Sequence, residues 1–169
     1  YEAIKNCSDL REQFGGHKFA AGLSMKMENL EKFQIKFEQV VSETIDEKLL
    51  TPEILIDAEI DLKDINPKFF SIINQFSPFG PGNMRPVFLT KNVFDTGYSK
   101  VVKDTHLKIS VQKNNAKMSG IGFDLGNKYP QIFNGNPFDI CYAIEENEWN
   151  GEKRLQINVK DIRQSANPS

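Results

Sequence analysis

The hydrophobic period of this chain changes at Thr51-Pro52, and no one kind of element satisfies both sides of that point. Before it, apolar residues recur at helical spacing. Ile4, Cys7, Leu10 and Phe14 are three or four apart and predict a helix over Tyr1 to Phe14. Gly15-Gly16 follows as a stop, glycine supplying the positive φ that helix C-termini favour. Phe19 to Met27, with Leu23, Met25 and Met27 alternating, reads as a strand. Asn29 is placed as the N-cap of a second helix with the stripe Leu30, Phe33, Phe37, Val40, Val41 and Ile45, ending near Leu49.

After Thr51-Pro52 the period becomes two. Ile54, Ile56, Ala58, Ile60 and Leu62 alternate with mostly acidic neighbours, the pattern of a half-buried strand. Asn66-Pro67 opens a short helix through Phe69, Phe70, Ile73 and Phe76, proline being suited to a first helical turn. A turn-rich loop runs from Phe76 to Pro86. Beyond it five strands are expected, at Val87 to Asp95, Leu107 to Lys113, Ala116 to Phe123, Phe138 to Glu145 and Leu155 to Ile162. Lys113-Asn114-Asn115-Ala116 and Trp149-Asn150-Gly151 read as tight hairpin turns. Leu125 to Phe133 is a short helical insert. This order fits a small antiparallel barrel of the OB type, and a split sandwich fits nearly as well.

Composition narrows the class. The 169 residues include 13 Phe, 4 Tyr and 1 Trp, ample material for a core. No apolar run is long enough to span a bilayer, and no basic-then-apolar leader opens the chain. The two cysteines, Cys7 and Cys141, match no metal or redox spacing, so a reduced, cytoplasmic protein is expected. The net charge is only −2, but the charges are segregated: Glu28 to Asp64 carries eleven acids against four lysines, and Met84 to Met118 carries seven Lys/Arg against two Asp. The basic segment is what a local polyanion-binding face looks like. On composition alone, lysines that keep a sheet soluble are the plainer reading.

Three motifs bear on chemistry. In Phe14-Gly15-Gly16-His17 two glycines expose backbone N–H groups and a histidine follows, a combination suited to holding phosphate. A helix cap before a surface histidine is the plainer alternative. Phe79-Gly80-Pro81-Gly82-Asn83, with Arg85-Pro86 behind it, lacks the Gly-Lys-Ser/Thr ending of a phosphate loop and reads as a stiff connector, with Arg85 its contact residue. Tyr98, Lys100, Lys103, His106 and Lys108 combine one aromatic with alternating cations, a workable single-strand-binding surface or a solvated strand face. With two histidines and no cysteine pair, no zinc site is expected, and no HExxH or GxSxG nucleophile motif is present.

These residues, read together, resemble the RecJ-type single-strand-specific DNA exonucleases of the DHH phosphoesterase superfamily. Tyr1-Glu2-Ala3-Ile4 through Phe14-Gly-Gly-His17-Lys-Phe-Ala-Ala-Gly22-Leu-Ser-Met25 is similar to the end of that family's DHH-associated domain. Phe76-Ser-Pro-Phe79-Gly-Pro-Gly82-Asn-Met-Arg-Pro-Val-Phe88 is similar to the loop opening its OB-like domain. His106-Leu-Lys108 and Trp149-Asn-Gly with Leu155 to Ile162 follow in order, so the resemblance covers the chain to about Arg163. One departure is Arg85 before Pro86, where the family pattern leads one to expect an acid.

The resemblance implies a parent with 5′→3′ exonuclease activity on single-stranded DNA, acting in recombination and mismatch repair. Its catalytic DHH domain holds Mn²⁺ or Mg²⁺ and lies outside this chain, which is expected to be an inactive C-terminal fragment binding no cofactor itself. Gly15, Gly16 and His17 carry over as a substrate phosphate loop. Arg85, Tyr98, Lys100, Lys103, His106 and Lys108 become candidates for DNA contact. The expected architecture is α+β, mainly β: residues 1–50 end a DHH-associated domain, 52–163 form an OB-like barrel with interposed short helices, and 164–169 are a frayed tail. Binding and guiding single-stranded DNA is the expected role. The alternative is a docking module for repair proteins such as a helicase or single-strand-binding protein, and the acidic 28–64 segment is expected to face a protein or point away from DNA.

Overall fold

The computed structural model describes residues 1–17, 20–149 and 151–166, with Trp149 described by its backbone only. The chain forms two compact units, Tyr1–Glu53 and Ile54–Ser169.

In the first unit the helix expected over Tyr1 to Phe14 is only one turn, α1 (Glu2–Lys5), followed by a 3₁₀ turn at Ser8–Leu10. Gly15-Gly16 does not stop a helix. It lies in β1 (Gln13–His17), antiparallel to β2 (Ala20–Ser24), with Gly15 opposite Gly22 and Gly16 opposite Ala21. Small residues on both strands allow the close pairing. At Gly16, φ is +135° and a Cβ would lie 2.3 Å from the Ala20 carbonyl oxygen, so only glycine fits. Of the strand expected from Phe19 to Met27, Phe19 lies outside the described residues and the pairing ends at Ser24. Helix α2 (Leu30–Thr44) is shorter than expected, the chain passing into a 3₁₀ turn at Glu47–Leu50. Asn29 occupies the N-cap position, but its amide donates to the Leu10 carbonyl (3.4 Å) instead of capping. Lys36 on α2 meets Asp9 at 2.5 Å, and that hydrogen bond holds the Asp9 carboxyl below its ordinary value. No residue of α2 is fully buried, its stripe being half-covered.

The second unit is built around β4 (Phe88–Asp95), whose one edge is shared. Its first half pairs in parallel with β3 (Ala58–Glu59), and its last two residues pair with β6. The strand expected over Ile54 to Leu62 shrinks to two residues: in this register the residues before Ala58 fall opposite the loop ahead of β4, which begins only at Phe88, and a 3₁₀ turn starts at Leu62. Either side of β3, Asp57 N–H donates to the Val87 carbonyl and Ile60 N–H to that of Leu89. Helix α3 (Pro67–Asn74) forms as expected, Asn66 accepting the Phe69 N–H at 3.0 Å. Its Phe69 ring lies 5.5 Å from Phe88.

Strands β5 (Lys100–Val102), β6 (His106–Lys113), β7 (Ala116–Gly122), β8 (Phe138–Trp149) and β9 (Glu152–Gln164) complete a seven-stranded sheet, with α4 (Tyr129–Ile132) between β7 and β8. Strands β4, β6, β7, β9 and β8 close on one another, antiparallel except where β7 runs parallel to β9. This is the topology of the OB barrel. A Cβ at Gly120 would sit 2.0 Å from the Ile157 carbonyl oxygen, so the parallel seam also demands glycine. The core is filled by alternate residues, such as Leu107, Ile109 and Val111 of β6, with Ile132 of α4 fully buried among them. Within it the Thr90 hydroxyl bridges the Tyr142 hydroxyl (2.7 Å) and the Ile60 carbonyl (2.8 Å), and burial pushes the Tyr142 phenol up to about 12. The hairpin at Asn114 has φ +52°, as expected of asparagine in a tight turn. Asn150 of the other hairpin turn lies outside the described residues. The tail expected to fray from Gln164 instead begins inside β9, and Ser165 still bonds Asp139 at 2.6 Å; 167–169 lie outside the described residues.

Asp139 holds an irregularity in β4. The β4–β8 register shifts between Thr90 and Val93, and Asn92 there has φ +55°. The buried Asp139 carboxylate accepts the Asn92 N–H (3.1 Å), the Ser165 hydroxyl and Arg163 Nε (3.3 Å). Burial alone would raise its pKa, but these three donors hold it below the ordinary value. A depressed folded-state pKa stabilises fully above the unfolded value of about 3.9, and that stabilisation is lost as pH falls through the lower folded value. Asp139→Asn is therefore expected to cost about 1.5–3 kcal/mol at pH 7. It should also blunt the loss of stability as pH falls below about 4, both read from urea midpoints.

Candidate nucleic-acid interface

Alternation along β6 that sends Leu107, Ile109 and Val111 inward turns His106, Lys108 and Ser110 outward. Strand β5, which the sequence pattern did not reveal, folds back on this edge through a turn in which Lys103 (φ +50°) and Asp104 (φ +61°) are both left-handed. It places Lys100 opposite Lys108. Tyr98 stands 81% exposed at the entry to β5. An open depression of about 580 Å³ lies here, lined by Tyr98, Lys100, Lys108, Ser110 and Ser119.

The loop presenting Tyr98 is braced from beneath. Ser99, buried, donates to the Asp95 carboxylate and accepts the Ser110 N–H at 2.9 Å. Thr96 donates to Ser110 Oγ at 2.7 Å, and Gly97 N–H to Asp95 at 2.9 Å. Asp95 is thereby turned into the loop, away from the lysines.

The structure divides the basic segment into two sets. Lys91 pairs with Glu59 (2.7 Å) and Lys113 with Asp61 (3.6 Å), so the acidic stretch neutralises part of it. Among the described residues, no carboxylate lies within 4.0 Å of Lys100, Lys103 or Lys108. His106 is tied down: Nδ1 accepts the Asp124 N–H (3.2 Å), and its ring meets Phe123 edge-on, centroids 5.3 Å apart. Arg85 is not part of the group. Its guanidinium lies over the Phe79 ring (4.6 Å to the centroid) and donates to the Ile144 carbonyl (3.3 Å) on β8, a strand that does not pair with β6. Within its loop Asn83 donates to the Phe76 and Pro78 carbonyls at 2.7 and 2.9 Å.

Gly15, Gly16 and His17 lie on β1 of the other unit and are exposed. Cβ atoms built at Gly15 and at its partner Gly22 would meet nothing within 4 Å, so this pair presents bare backbone. Among the described residues no three His, Cys, Asp or Glu side chains converge to hold a metal ion. No helix among the described residues is long and apolar enough to cross a membrane.

Comparison with known proteins agrees with the topology. A family model described as the RecJ OB domain matches residues 56–161. The single-stranded-DNA-specific exonuclease RecJ of Bacillus subtilis is 28% identical over 162 residues, 95% of this chain but 21% of that protein. The protein of the same description from Salmonella typhimurium is 30% identical over 156 residues, 91% of this chain and 27% of that protein. The chain thus spans about a quarter of the length of these curated relatives. The crystal structure of RecJ in complex with Mg²⁺ from Thermus thermophilus matches 98% of this chain and 25% of that one, with a TM-score of 0.73 at 21% identity, a likeness of fold.

The brace under Tyr98 is directly testable. Ser99→Ala removes both a buried donor and the acceptor of the Ser110 N–H, at an expected cost of about 1–3 kcal/mol. Hydrogen exchange at Ser110 and Gly97 should accelerate, while exchange in β8 and β9 stays slow.

Proposed function

Because this chain belongs to the RecJ OB domain family, we propose that its barrel binds single-stranded DNA on the outward face of β5 and β6 and guides it to a 5′→3′ exonuclease centre elsewhere in the parent protein. One observation carries this reading: Lys100 and Lys108 face each other on paired strands with no carboxylate among the described residues in reach, beside an exposed tyrosine. Like charges directly opposite destabilise a sheet. An anion bridging them removes that repulsion, and a phosphate followed by a base that stacks on Tyr98 is a ligand with both features. The loop between the first two barrel strands, together with strands two and three, is where OB folds take oligonucleotides. Lys103 extends the positive face beyond the pair, and His106 borders it.

Gly15, Gly16 and His17 serve, on the same reading, as a phosphate-holding edge in the parent enzyme. That the relative from Thermus thermophilus was crystallised with Mg²⁺ and with Mn²⁺ supports a parent that hydrolyses phosphodiesters with such ions in its other domains. This chain alone is inactive, and the parent works in the cytoplasm in recombination and repair. Recruitment of a repair protein by the barrel is the competing role, and it predicts no dependence on the paired lysines.

Fluorescence anisotropy with labelled oligonucleotides separates the two roles. On single strands each neutralised phosphate contributes about −0.7 to the slope of log K against log salt, so three or four lysines give about −2 to −3. Converting Lys100, Lys103 and Lys108 together to Ala should flatten that slope and lower affinity almost equally for all sequences. Unchanged binding and slope in that variant would move the docking role ahead. In the full-length parent, His17→Ala should lower turnover roughly 10- to 150-fold, the equivalent of one charge-assisted hydrogen bond, with folding intact by circular dichroism.

A further inference from the structure

The outward face of β7 ends in an aromatic side chain to which DNA binding by the lysines and Tyr98 assigns no part. Lys117, Ser119 and Ile121 lie on it, opposite Gln112, Ser110 and Lys108 of β6. The next outward position is Phe123, just past the strand and opposite His106, and 56% exposed. A large apolar ring left this open on a polar strand face contributes little to the core. It is nonetheless held in place. The His106 ring meets it at 76°, and His106 is itself fixed by the Asp124 N–H on Nδ1, with Thr105 Oγ1 at 3.1 Å from the same nitrogen.

Phe123 and Tyr98 sit at opposite corners of one face. Tyr98 adjoins Ser99, which bonds Ser110, whereas Phe123 is level with His106, four residues back along β6 and on its other flank. At about 3.3 Å per residue and about 4.8 Å between strands, the corners are roughly 16 Å apart, with Lys100 and Lys108 between them. Bases rise about 3.4 Å each when stacked, so this diagonal spans about four nucleotides, the lower limit for an OB fold.

We propose that Phe123 is a second base-stacking platform, that it and Tyr98 bracket a site of about four nucleotides with the Lys100–Lys108 pair on the backbone between them, and that His106 is the positioning residue for Phe123 and makes no phosphate contact. This rests on the DNA-binding reading of the same face. Stacking releases no counterions, so it is separable from lysine contacts by its salt dependence.

The test uses the 169-residue chain and a fifteen-residue oligothymidylate. Phe123→Ala should weaken binding about 5- to 150-fold, the equivalent of one base–aromatic stack, and leave the salt slope unchanged. Phe123→Tyr should bind within about twofold of wild type. His106→Asn keeps an acceptor for the Asp124 N–H but loses the ring; it should weaken binding with no change of slope at pH 7.5. The double variant His106→Asn/Phe123→Ala should be no weaker than Phe123→Ala alone, because the histidine acts through the phenylalanine. Photocrosslinking of the wild-type chain to 5-iodouracil-substituted DNA should mark the peptides containing Tyr98 and Phe123, a readout that needs no variant to fold. If Phe123→Ala binds as wild type while the triple lysine variant does not, Phe123 is no platform and the DNA face stands. If neither variant changes binding, the DNA-binding reading itself falls. A shallower salt slope in His106→Asn would return His106 to a direct phosphate contact.

Discussion

The bend in β4 is the constraint on which the barrel depends. A strand that pairs with β8 along one edge and must meet β6 at its far end has to turn sharply, and it does so where the register shifts between Thr90 and Val93. That turn leaves the Asn92 N–H without a ladder partner and sets Asn92 at φ +55°. The buried Asp139 carboxylate supplies the missing acceptor, and the donors Ser165 and Arg163 make its charge tolerable away from water. One side chain on β8 thereby secures the bend in β4 and the end of β9. Without closure between β4 and β6, the first barrel loop would have no fixed base.

The functional face is a consequence of that closure. With β6 locked between β4 and β7, its alternation is forced: three apolar side chains enter the core and His106, Lys108 and Ser110 face out. The loop from Asp95 to Ser99 then bonds back to Ser110, which brings Lys100 opposite Lys108 and leaves Tyr98 upright beside them. The same packing gives other cations partners within the protein. Lys91 and Lys113 are answered by Glu59 and Asp61, and Arg85 is engaged by Phe79 and the Ile144 carbonyl. A basic segment that looks uniform in one dimension becomes, in three, a small set of charges with no carboxylate partner among the described residues.

Where local pattern coincides with tertiary environment, the expectations hold. Asn66-Pro67 caps α3, the asparagine at 114 turns its hairpin, and the barrel strands from Phe88 onward fall within a few residues of most of their expected limits. The misses share one physical origin. Three residues, Lys100 to Val102, are too few to show alternation, so β5 is invisible until β6 offers it an edge. Helical spacing from Ile4 to Phe14 is a property of four side chains, but β1 forms because the backbone of Gln13–His17 finds the backbone of Ala20–Ser24. The alternation from Ile54 to Leu62 is genuine, but a strand needs an edge, and the residues before Ala58 fall opposite the loop ahead of β4.

By itself, then, the sequence determined the class of the second unit, its five long barrel strands along the chain, the glycine and proline punctuation between them, and the residues from which a DNA-binding face could be drawn. These are set by side-chain period and backbone preference, which act over a few residues. Tertiary structure decided which lysines remain without a carboxylate, that Arg85 belongs to the packing of the loop, that His106 leans on Phe123, and that a phenylalanine with no cationic neighbour in sequence shares a face with Tyr98. Each of these depends on which strand lies beside which, and that is settled by barrel closure between residues tens of positions apart.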